Sequence, residues 1–338
     1  MTPAIWSALA DRFGIGTITG DPAYVTRGAM GEIWRLDTTA GSWAVKWQFP
    51  WVSTDARPAD IAVQLAAAAA GIPLPLPVTT PDGEAVVQVL DRHARVYEWV
   101  DLGEPFELPV SAATAAEAGR LLGLFHGLAL CSDEPVDPWY NEVGDADSWA
   151  QLTDRALAAD MAWAPKLAAA RGQIAELSNL VMPPSGRTAI VCHRDFNPDN
   201  VFPAAGNGSL MVLDWENAGS LQPDRELGYA VFCWCAGEGR FDAGASAAML
   251  AGYATGLGCS PVPGDDFFAT AIATHLNFLQ VMAEQALTEP EHRHYAEKAI
   301  ADLLDRYLGE LRQTIKTWSQ AYDSHAATDC DRASERTG

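Results

Sequence analysis

Basic residues are scarce in this chain: 22 lysines and arginines stand against 44 acidic residues, which gives a formal net charge of -22. This balance argues against nucleic-acid binding, because phosphate backbones are held by Lys and Arg side chains. No run approaches 18 apolar residues and no cationic segment opens the chain, so we expect neither membrane insertion nor secretion. The six cysteines lack C-x-x-C spacing, and Cys233 and Cys235 lie in an apolar run typical of buried thiols, so we expect a reducing cytoplasm. No protein partner is inferred.

The most informative segment is His193–Asn200, followed further on by Leu213–Glu216. Asp195 and Asn200 lie five positions apart, and Asp214 follows fourteen residues later, behind an apolar strand. Phosphoryl transfer from ATP needs a base for the proton of the substrate hydroxyl and oxygen ligands that hold Mg²⁺ on the phosphates. The spacing therefore predicts Asp195 as the base, with Asn200 and Asp214 as metal ligands.

The residues between the two parts of this motif support the same interpretation. Asn207-Gly208 lies at the centre of a turn. Leu210–Leu213 then predicts a buried strand that delivers Asp214 at its end. A solvated surface loop is the alternative, and the short apolar runs on both sides of the motif argue against it.

The motif resembles the aminoglycoside phosphotransferase and choline kinase-like family, which shares the protein-kinase core. Eukaryotic protein kinases fit less well, because Asp214 is followed by Trp-Glu rather than Phe-Gly and no Ala-Pro-Glu follows. Gln222–Gly228 is similar to the start of the family's helix after the second metal aspartate, although the family usually carries aspartate where this chain has Glu226. The resemblance implies that Glu226 braces the catalytic loop and that His193 has a supporting role.

The resemblance also implies an α+β, protein-kinase-like two-lobe fold. A small N-terminal antiparallel β-sheet lobe would precede a larger, mostly helical C-terminal lobe. We expect residues 1–100 to form the nucleotide-binding lobe, including the hinge, and 101–322 to carry the catalytic loop, the metal site and the acceptor site. Residues 323–338 are polar without apolar periodicity, and they predict a disordered tail.

Two segments of the N-terminal half are candidates for binding the nucleotide. Arg27–Leu36 is a glycine-bearing turn that enters a strand, so Gly28 and Gly31 would belong to a loop over the phosphates; a plain hairpin turn would explain them about as well. Ser42–Gln48 predicts a strand in which side chains alternate, so that Lys46 lies on the face opposite the tryptophans. A strand of this kind covers the adenine ring, and Lys46 would extend from it to the phosphates. The alternative is a lysine on an exposed strand face.

In this type of site the lysine pairs with a glutamate on the following helix. Ala59–Ala70 predicts that helix, but it contains no glutamate. Asp60 is the best-placed acid, and Gln64 lies one turn further on the same face. The sequence leaves open whether either residue replaces the glutamate.

The run Ala94–Val100 resembles the last strand of the small lobe and ends in a hinge. Backbone groups near Glu98 and Val100 would bind the adenine edge there. Three later segments predict helices: Ala112–Leu128, 265–287 and 294–319.

The distribution of charge is the best indication of the acceptor. Thirteen acids lie between Asp195 and Glu291 against Arg225 and Arg240, and eight lie in 133–160 against one arginine. An acidic cleft attracts cations and raises their local concentration, although a soluble acidic surface would explain part of the excess. Four aromatic residues in 139–163, a stretch that overlaps the second region, could form a wall for ammonium groups or could pack in the core: Trp139, Tyr140, Trp149 and Trp163.

The sequence therefore predicts an O-phosphotransferase that uses ATP, with GTP not excluded, and Mg²⁺. Its acceptor is a small cationic hydroxylated molecule, with an aminoglycoside-like or other basic antibiotic as first choice and resistance by inactivation as the role. Glu216 and Glu238 are candidates for contacting an acceptor amine, and Glu216 also for assisting the metal. The alternatives are a metabolic kinase for choline, an amino sugar, a hydroxylated amino acid or a thio-sugar, and a catalytically silent binding protein.

Overall fold

The computed structural model describes residues 2–28, 30–50, 58–184, 188–206 and 208–320, and for 58–60 it describes the backbone alone. The chain divides into two compact units. The first contains residues 1–105 and 199–218, and the second contains 106–198 and 219–338. The sequence-based division assigned all of 101–322 to the helical region, whereas the structure groups 199–218 with the N-terminal sheet. The predicted tail, 323–338, lies outside the described residues.

The helices and strands follow in chain order. Up to residue 98 they are α1 (Pro3–Phe13), β1 (Ala23–Arg27), β2 (Gly31–Thr38), β3 (Gly41–Gln48), α2 (Pro58–Ala69), β4 (Pro77–Val78), β5 (Val87–Val89) and β6 (Arg92–Glu98). Up to residue 221 they are α3 (Ala112–His126), α4 (Ala146–Ala158), α5 (Ala164–Ser178), β7 (Ile190–Cys192), β8 (Val201–Pro203), β9 (Leu210–Val212) and β10 (Gly219–Leu221). The remainder are α6 (Pro223–Cys235), β11 (Ala236–Gly237), β12 (Arg240–Phe241), α7 (Ala243–Leu257), α8 (Ala269–Thr288) and α9 (Arg293–Asp302).

The first unit is built on an antiparallel sheet with strand order β1-β2-β3-β6-β4, and β5 also pairs with β6. The alternation predicted for β3 is present, because Val45 and Trp47 belong to a buried apolar cluster and Trp43 packs against it. Helix α1 covers this face of the sheet, and the ring of its Trp6 lies 5.4 Å from that of Trp47. Since successive side chains point to opposite faces, Lys46 is directed away from the cluster.

The second unit is mostly helical, and its α3 and α7 approach each other closely through glycines. A Cβ atom at Gly119 or Gly123 of α3 would lie 2.1 or 2.2 Å from the carbonyl oxygens of Met249 and Tyr253. On α7, a Cβ at Gly252 would lie 1.9 Å from a carbonyl oxygen of α3. The two helices therefore pack backbone against backbone, which fixes the relative positions of the side chains between them.

Gly252→Ala is expected to destabilise the protein by about 2 kcal/mol or more, because the added methyl group would have to push α3 and α7 apart. Thermal or denaturant unfolding measures this loss. Gly172→Ala is the matched control, because a Cβ there meets nothing within 4 Å and replacing a mid-helix glycine should stabilise by about 0.5–1 kcal/mol. Equal effects of the two variants would contradict close packing at Gly252.

The predicted C-terminal helices are present with two differences. Residues 265–268 form turns before α8, and Asp266 within them is buried against Arg225, with 2.7 Å between carboxylate Oδ2 and guanidinium Nη2. The predicted helix over 294–319 is interrupted after α9 by a π-helical turn, Leu303–Tyr307, before residues 308–320 continue as helix. A π turn depends on the packing of the surrounding side chains, which sequence periodicity does not reveal. Among the described helices, none is long and apolar enough to cross a membrane.

Candidate active site

The segment that carries the predicted base begins at β7, which pairs with β10 in an antiparallel ladder. Arg194, directly before Asp195, is buried and has a φ of 65°. A left-handed backbone is unfavourable for a residue with a side chain and persists only where surrounding contacts enforce it. Here the backbone amides of His193 and Arg194 both donate to the carboxylate of Glu226, the former at 3.1 Å. Glu226 thus contacts the loop that it was predicted to brace.

Glu226 is completely buried and has a second polar partner. One of its carboxylate oxygens lies 2.7 Å from Nε2 of His126, and Nδ1 of the same ring lies 2.8 Å from the hydroxyl of Tyr253. Burial alone would raise the pKa of Glu226, but the hydrogen bond from His126, the nearby rings of His126 and His193, and the Arg194 amide hold that pKa below its usual value. A charged carboxylate is therefore maintained behind the loop.

The predicted base, Asp195, is held by two donors in the second unit. The side-chain amide of Asn197 donates to Oδ1 of Asp195 at 2.6 Å. The hydroxyl of Tyr229, which comes from α6, donates to the same oxygen at 3.0 Å. This oxygen is therefore fixed from two sides. Neither Asn197 nor Tyr229 was identified from the sequence as a site residue.

The predicted metal ligands both lie in the first unit, at the same end of the hairpin formed by β8 and β9. Val201 pairs with Val212 in that hairpin, and the backbone amide of Leu213 donates to the carbonyl of Asn200 at 2.8 Å. The register therefore brings the backbones of Asn200 and Asp214 together at one end. Asp214 has a φ of 54°, an unfavourable conformation of the type found at functional sites. A carboxylate and a side-chain amide supply the oxygen ligands that Mg²⁺ prefers, so these residues fit that ion.

Lys46 lies between two carboxylates of the first unit. Its ammonium nitrogen is 2.9 Å from Oδ1 of Asp214 and 3.0 Å from Oε1 of Glu216. The Tyr97 hydroxyl donates to that same Glu216 oxygen at 3.2 Å, and Arg95 Nε lies 3.9 Å away from it. Although burial would lower the pKa of Lys46, the two carboxylates outweigh this effect and raise that pKa above its usual value. Lys46 is therefore a permanent cation beside Asp214.

Lys46 has a carboxylate partner, Glu216, that the sequence did not predict for it. Asp60 belongs to α2, but its side chain lies outside the described part of the structure. Gln64 on α2 is fully buried and uncharged. Helix α2 packs against the 3-10 helix Trp215–Asn217, and this short helix places the carboxylate of Glu216 on Lys46.

The remaining predicted residues lie as follows. Gly28 closes the turn between β1 and β2, since its amide donates to the carbonyl of Gly31 at 2.9 Å. A Cβ at Gly31, the first residue of β2, would lie 2.4 Å from the carbonyl oxygen of Trp47, so the close pairing of β2 with β3 requires glycine here. Glu98 is the last residue of β6, and Val100 follows it in the chain. Glu238 is exposed in the turn between β11 and β12.

The residues missed by sequence reasoning are polar, and each is bonded to a predicted site residue. Asn197 lies two positions from Asp195, whereas Tyr229 and Tyr97 are far in the chain from their partners. Tyr229 is 34 positions from Asp195, and Tyr97 is 119 positions from Glu216. Tyr97 gave a partial signal, because it alternates with the buried Ala94 and Val96 of β6 and therefore lies on the face opposite the apolar cluster, as Lys46 does in β3. Tyr229 gave no such signal, because it lies in the mostly apolar run Leu227–Cys235 of α6.

Comparisons with known proteins identify the class to which this fold and these residues belong. The model of the phosphotransferase enzyme family matches residues 25–261, which is more than half of the chain. The chain therefore belongs to the phosphotransferase enzyme family. It is a small-molecule kinase with a protein-kinase-like fold, as the sequence predicted. No curated protein matches the chain at a significant level.

Solved structures with the same fold have diverged far in sequence. A spectinomycin phosphotransferase in complex with ADP and spectinomycin has a TM-score of 0.65 at 14% identity, covering 92% of this chain and 97% of that one. A microcompartment-associated aminopropanol kinase has a TM-score of 0.57 at 16% identity, covering 92% and 99%. A choline kinase from Streptococcus pneumoniae has a TM-score of 0.54 at 13% identity, covering 91% and 99%.

Proposed function

We propose that this enzyme transfers the γ-phosphoryl group of ATP, in the presence of Mg²⁺, to a hydroxyl of a small cationic molecule. An aminoglycoside-like or other basic antibiotic is our first choice of acceptor, and its inactivation is the proposed role. The observation that carries the chemistry is the contact of Lys46 with both Asp214 and Glu216. A buried lysine next to a candidate metal ligand matches the arrangement that phosphoryl transfer requires.

The predicted base, the predicted metal ligands and Lys46 each have a defined role in the proposed reaction. Asp195 accepts the proton of the acceptor hydroxyl while the acceptor oxygen forms a bond to the γ-phosphorus, and the bond from that phosphorus to the bridging oxygen breaks so that ADP leaves. Asn200 and Asp214 would hold Mg²⁺, which neutralises phosphate charge when bound. Lys46 steadies the phosphates. Orientation of the reacting groups and neutralisation of phosphate charge therefore account for most of the rate acceleration.

The contacts of Lys46 also weaken the case for a catalytically silent binding protein. The absence of a glutamate from α2 was the only sequence feature that favoured that alternative. Glu216 supplies a buried carboxylate to the lysine from a different part of the first unit, and its side chain is 6% exposed. An ion pair at Lys46 is thus available without an acid on α2.

The acidic residues of the second unit support a cationic acceptor, but only the exposed carboxylates among them can attract a cation from solution. Asp224, Glu226 and Asp266 are buried, and two of them face the cationic or polar partners His126 and Arg225. All eight acids of 133–160 are exposed, in contrast. Three of the four aromatic residues in 139–163 are buried, so they belong to the core: Tyr140, Trp149 and Trp163. Steering of a cation therefore depends on the exposed carboxylates.

A metabolic kinase is the second candidate. The aminopropanol and choline kinases of similar fold favour it, because their named substrates are also alcohols that carry a cationic nitrogen. Turnover of spectinomycin and other basic antibiotics, measured beside choline, aminopropanol and amino sugars, separates the two candidates. Protection of a sensitive bacterium that expresses this chain would support the antibiotic role, and turnover of metabolites alone would contradict it.

For a cationic acceptor, kcat/KM is expected to fall as salt rises, with kcat changing less. Exposed charges are screened beyond about 8 Å at physiological ionic strength, whereas contacts in a closed site are screened less. The measurement uses fixed free Mg²⁺ and saturating nucleotide. The triple variant Asp147→Asn, Asp154→Asn, Asp160→Asn should flatten this salt dependence. The control neutralises three exposed acids of the first unit: Asp11, Asp21 and Asp91. A flat wild-type profile would contradict a cationic acceptor and favour a neutral one.

A further inference from the structure

The side chain of Asp195 takes part in a small closed arrangement of hydrogen bonds. Asn197 Nδ2 and the Tyr229 hydroxyl both donate to Oδ1 of Asp195, at 2.6 and 3.0 Å. Asn197 Nδ2 also donates to the Tyr229 hydroxyl, at 3.0 Å. The three groups therefore hold one another, and a rotation of the Asp195 carboxylate would break two hydrogen bonds to the same oxygen.

The position of Tyr229 is set by helix α6. Glu226 lies three residues earlier on the same helix, so the two side chains lie on neighbouring positions of one helical face. Through Glu226 the helix fixes the backbone of the loop at His193 and Arg194, and through Tyr229 it reaches the Asp195 side chain. One rigid element thus determines both the course of the loop and the orientation of the carboxylate.

The surroundings of Tyr229 keep it an uncharged donor. Tyr229 is 4% exposed. Burial, together with the nearby Cys233 and Asp195, raises the pKa of the Tyr229 phenol well above its usual value. Its ring lies 6.1 Å from that of His275, which in turn lies 5.3 Å from that of Tyr307. Burial lowers the pKa of His275 to about 4, so this ring packs in its neutral form at neutral pH.

We propose that Tyr229 is a positioning residue for the base of this kinase: with Asn197 it fixes Oδ1 of Asp195 and so sets the direction in which the carboxylate meets the acceptor hydroxyl. This inference rests on the proposed role of Asp195. A base must lie within hydrogen-bond reach of the proton that it accepts, and small misplacements of reacting groups are costly in rate. The simpler reading is that Tyr229 is an aromatic core residue whose hydroxyl has no effect on turnover.

The variant Tyr229→Phe separates these readings, because it keeps the ring and removes the hydroxyl. We expect kcat to fall about 10- to 100-fold, with the KM for MgATP unchanged within about twofold. Turnover is followed as ADP release with spectinomycin, aminopropanol or choline, whichever gives the highest rate, and with water where none does. Thermal unfolding shows whether the variant remains folded.

Two further variants make the test specific. Asn197→Ala removes the other donor and should lower kcat in the same way, while the double variant should lose less than the product of the two single losses, because both groups act on one oxygen. Tyr307→Phe is the control, since it deletes a phenol from the far end of the same ring stack and should keep kcat.

Tyr229→Phe with kcat within twofold of wild type would overturn the proposal, and so would an equal loss in Tyr307→Phe. Asp195→Asn distinguishes this failure from a failure of the assigned base. If Asp195→Asn is inactive while Tyr229→Phe is fully active, only the positioning role is wrong. If Asp195→Asn keeps its activity, the role of Asp195 itself is wrong.

Discussion

Replacing Asp195 by asparagine is expected to lower turnover by about 10²- to 10⁴-fold, the range typical for loss of a general base. The amide has nearly the shape of the carboxylate, so the hydrogen bonds from Asn197 and Tyr229 can be partly replaced and the loop should keep its course. The amide cannot accept the proton of the acceptor hydroxyl. Steady-state kinetics with MgATP and the best acceptor measure the loss.

Nucleotide binding provides the internal control for this variant. Asp195 belongs to the second unit, whereas Lys46, Asn200 and Asp214 belong to the first, so the affinity for MgATP should remain within a few-fold of wild type. Asp199→Asn is the matched substitution, because it removes an exposed carboxylate four positions further on and should keep most of the activity. Retention of more than about a tenth of wild-type turnover by Asp195→Asn would contradict the assigned role.

Local patterns in the sequence were sufficient to predict several features of the structure. Lys46 could be placed on the face of β3 opposite the apolar cluster because alternation along a strand is a property of the backbone alone. The apolar run Leu210–Leu213 predicted, in the same way, a buried strand that ends at Asp214. The register of β8 and β9 then brings Asn200 and Asp214 to one end.

Pairings between distant side chains could not be predicted in this way. The lysine partner was sought on α2 because the resemblance placed it there, yet Glu216 contacts Lys46 across 170 positions of sequence. Such a contact depends on how the 3-10 helix Trp215–Asn217 lies against β3, and composition does not reveal this. Tyr229 was missed for the same reason. In the mostly apolar run Leu227–Cys235 a tyrosine is expected to pack in the core, and only the structure shows that its hydroxyl donates to Asp195.

Burial separates the acids that can attract a cationic acceptor from those that cannot. Counting acids gave an excess over the whole of 195–291, but Glu226 and Asp266 are buried among partners and contribute to stability and loop geometry. An isolated buried charge is costly, so such acids occur only with partners. The exposed carboxylates of 133–160 therefore give most of the support for a cationic acceptor. Sequence counts alone cannot separate these two groups.

The second large effect is expected at the two carboxylates that contact Lys46, which should respond differently to substitution. Asp214→Asn removes a proposed Mg²⁺ ligand, so it should lower kcat by at least about 10²-fold, comparable to loss of a major electrostatic contact, and raise the Mg²⁺ concentration for half-maximal rate. Glu216→Gln removes the other partner of Lys46. It should raise the KM for ATP about 10-fold, because the lysine loses one of two charge-assisted contacts that hold it in place, while the Mg²⁺ dependence changes little.

Magnesium titrations at saturating acceptor distinguish these roles, and Asn200→Ala provides the second metal-ligand variant. Asp214→Asn and Asn200→Ala should shift the titration together, whereas Glu216→Gln should shift the ATP titration. Glu216→Asp, which keeps the charge on a shorter side chain, should recover part of the ATP affinity. If Glu216→Gln shifts the Mg²⁺ requirement as far as Asp214→Asn does, Glu216 acts as a metal ligand and not as the partner that positions Lys46. If the titrations of Asp214→Asn and Asn200→Ala overlay wild type, neither residue holds the metal, and the first unit must bind MgATP through other groups.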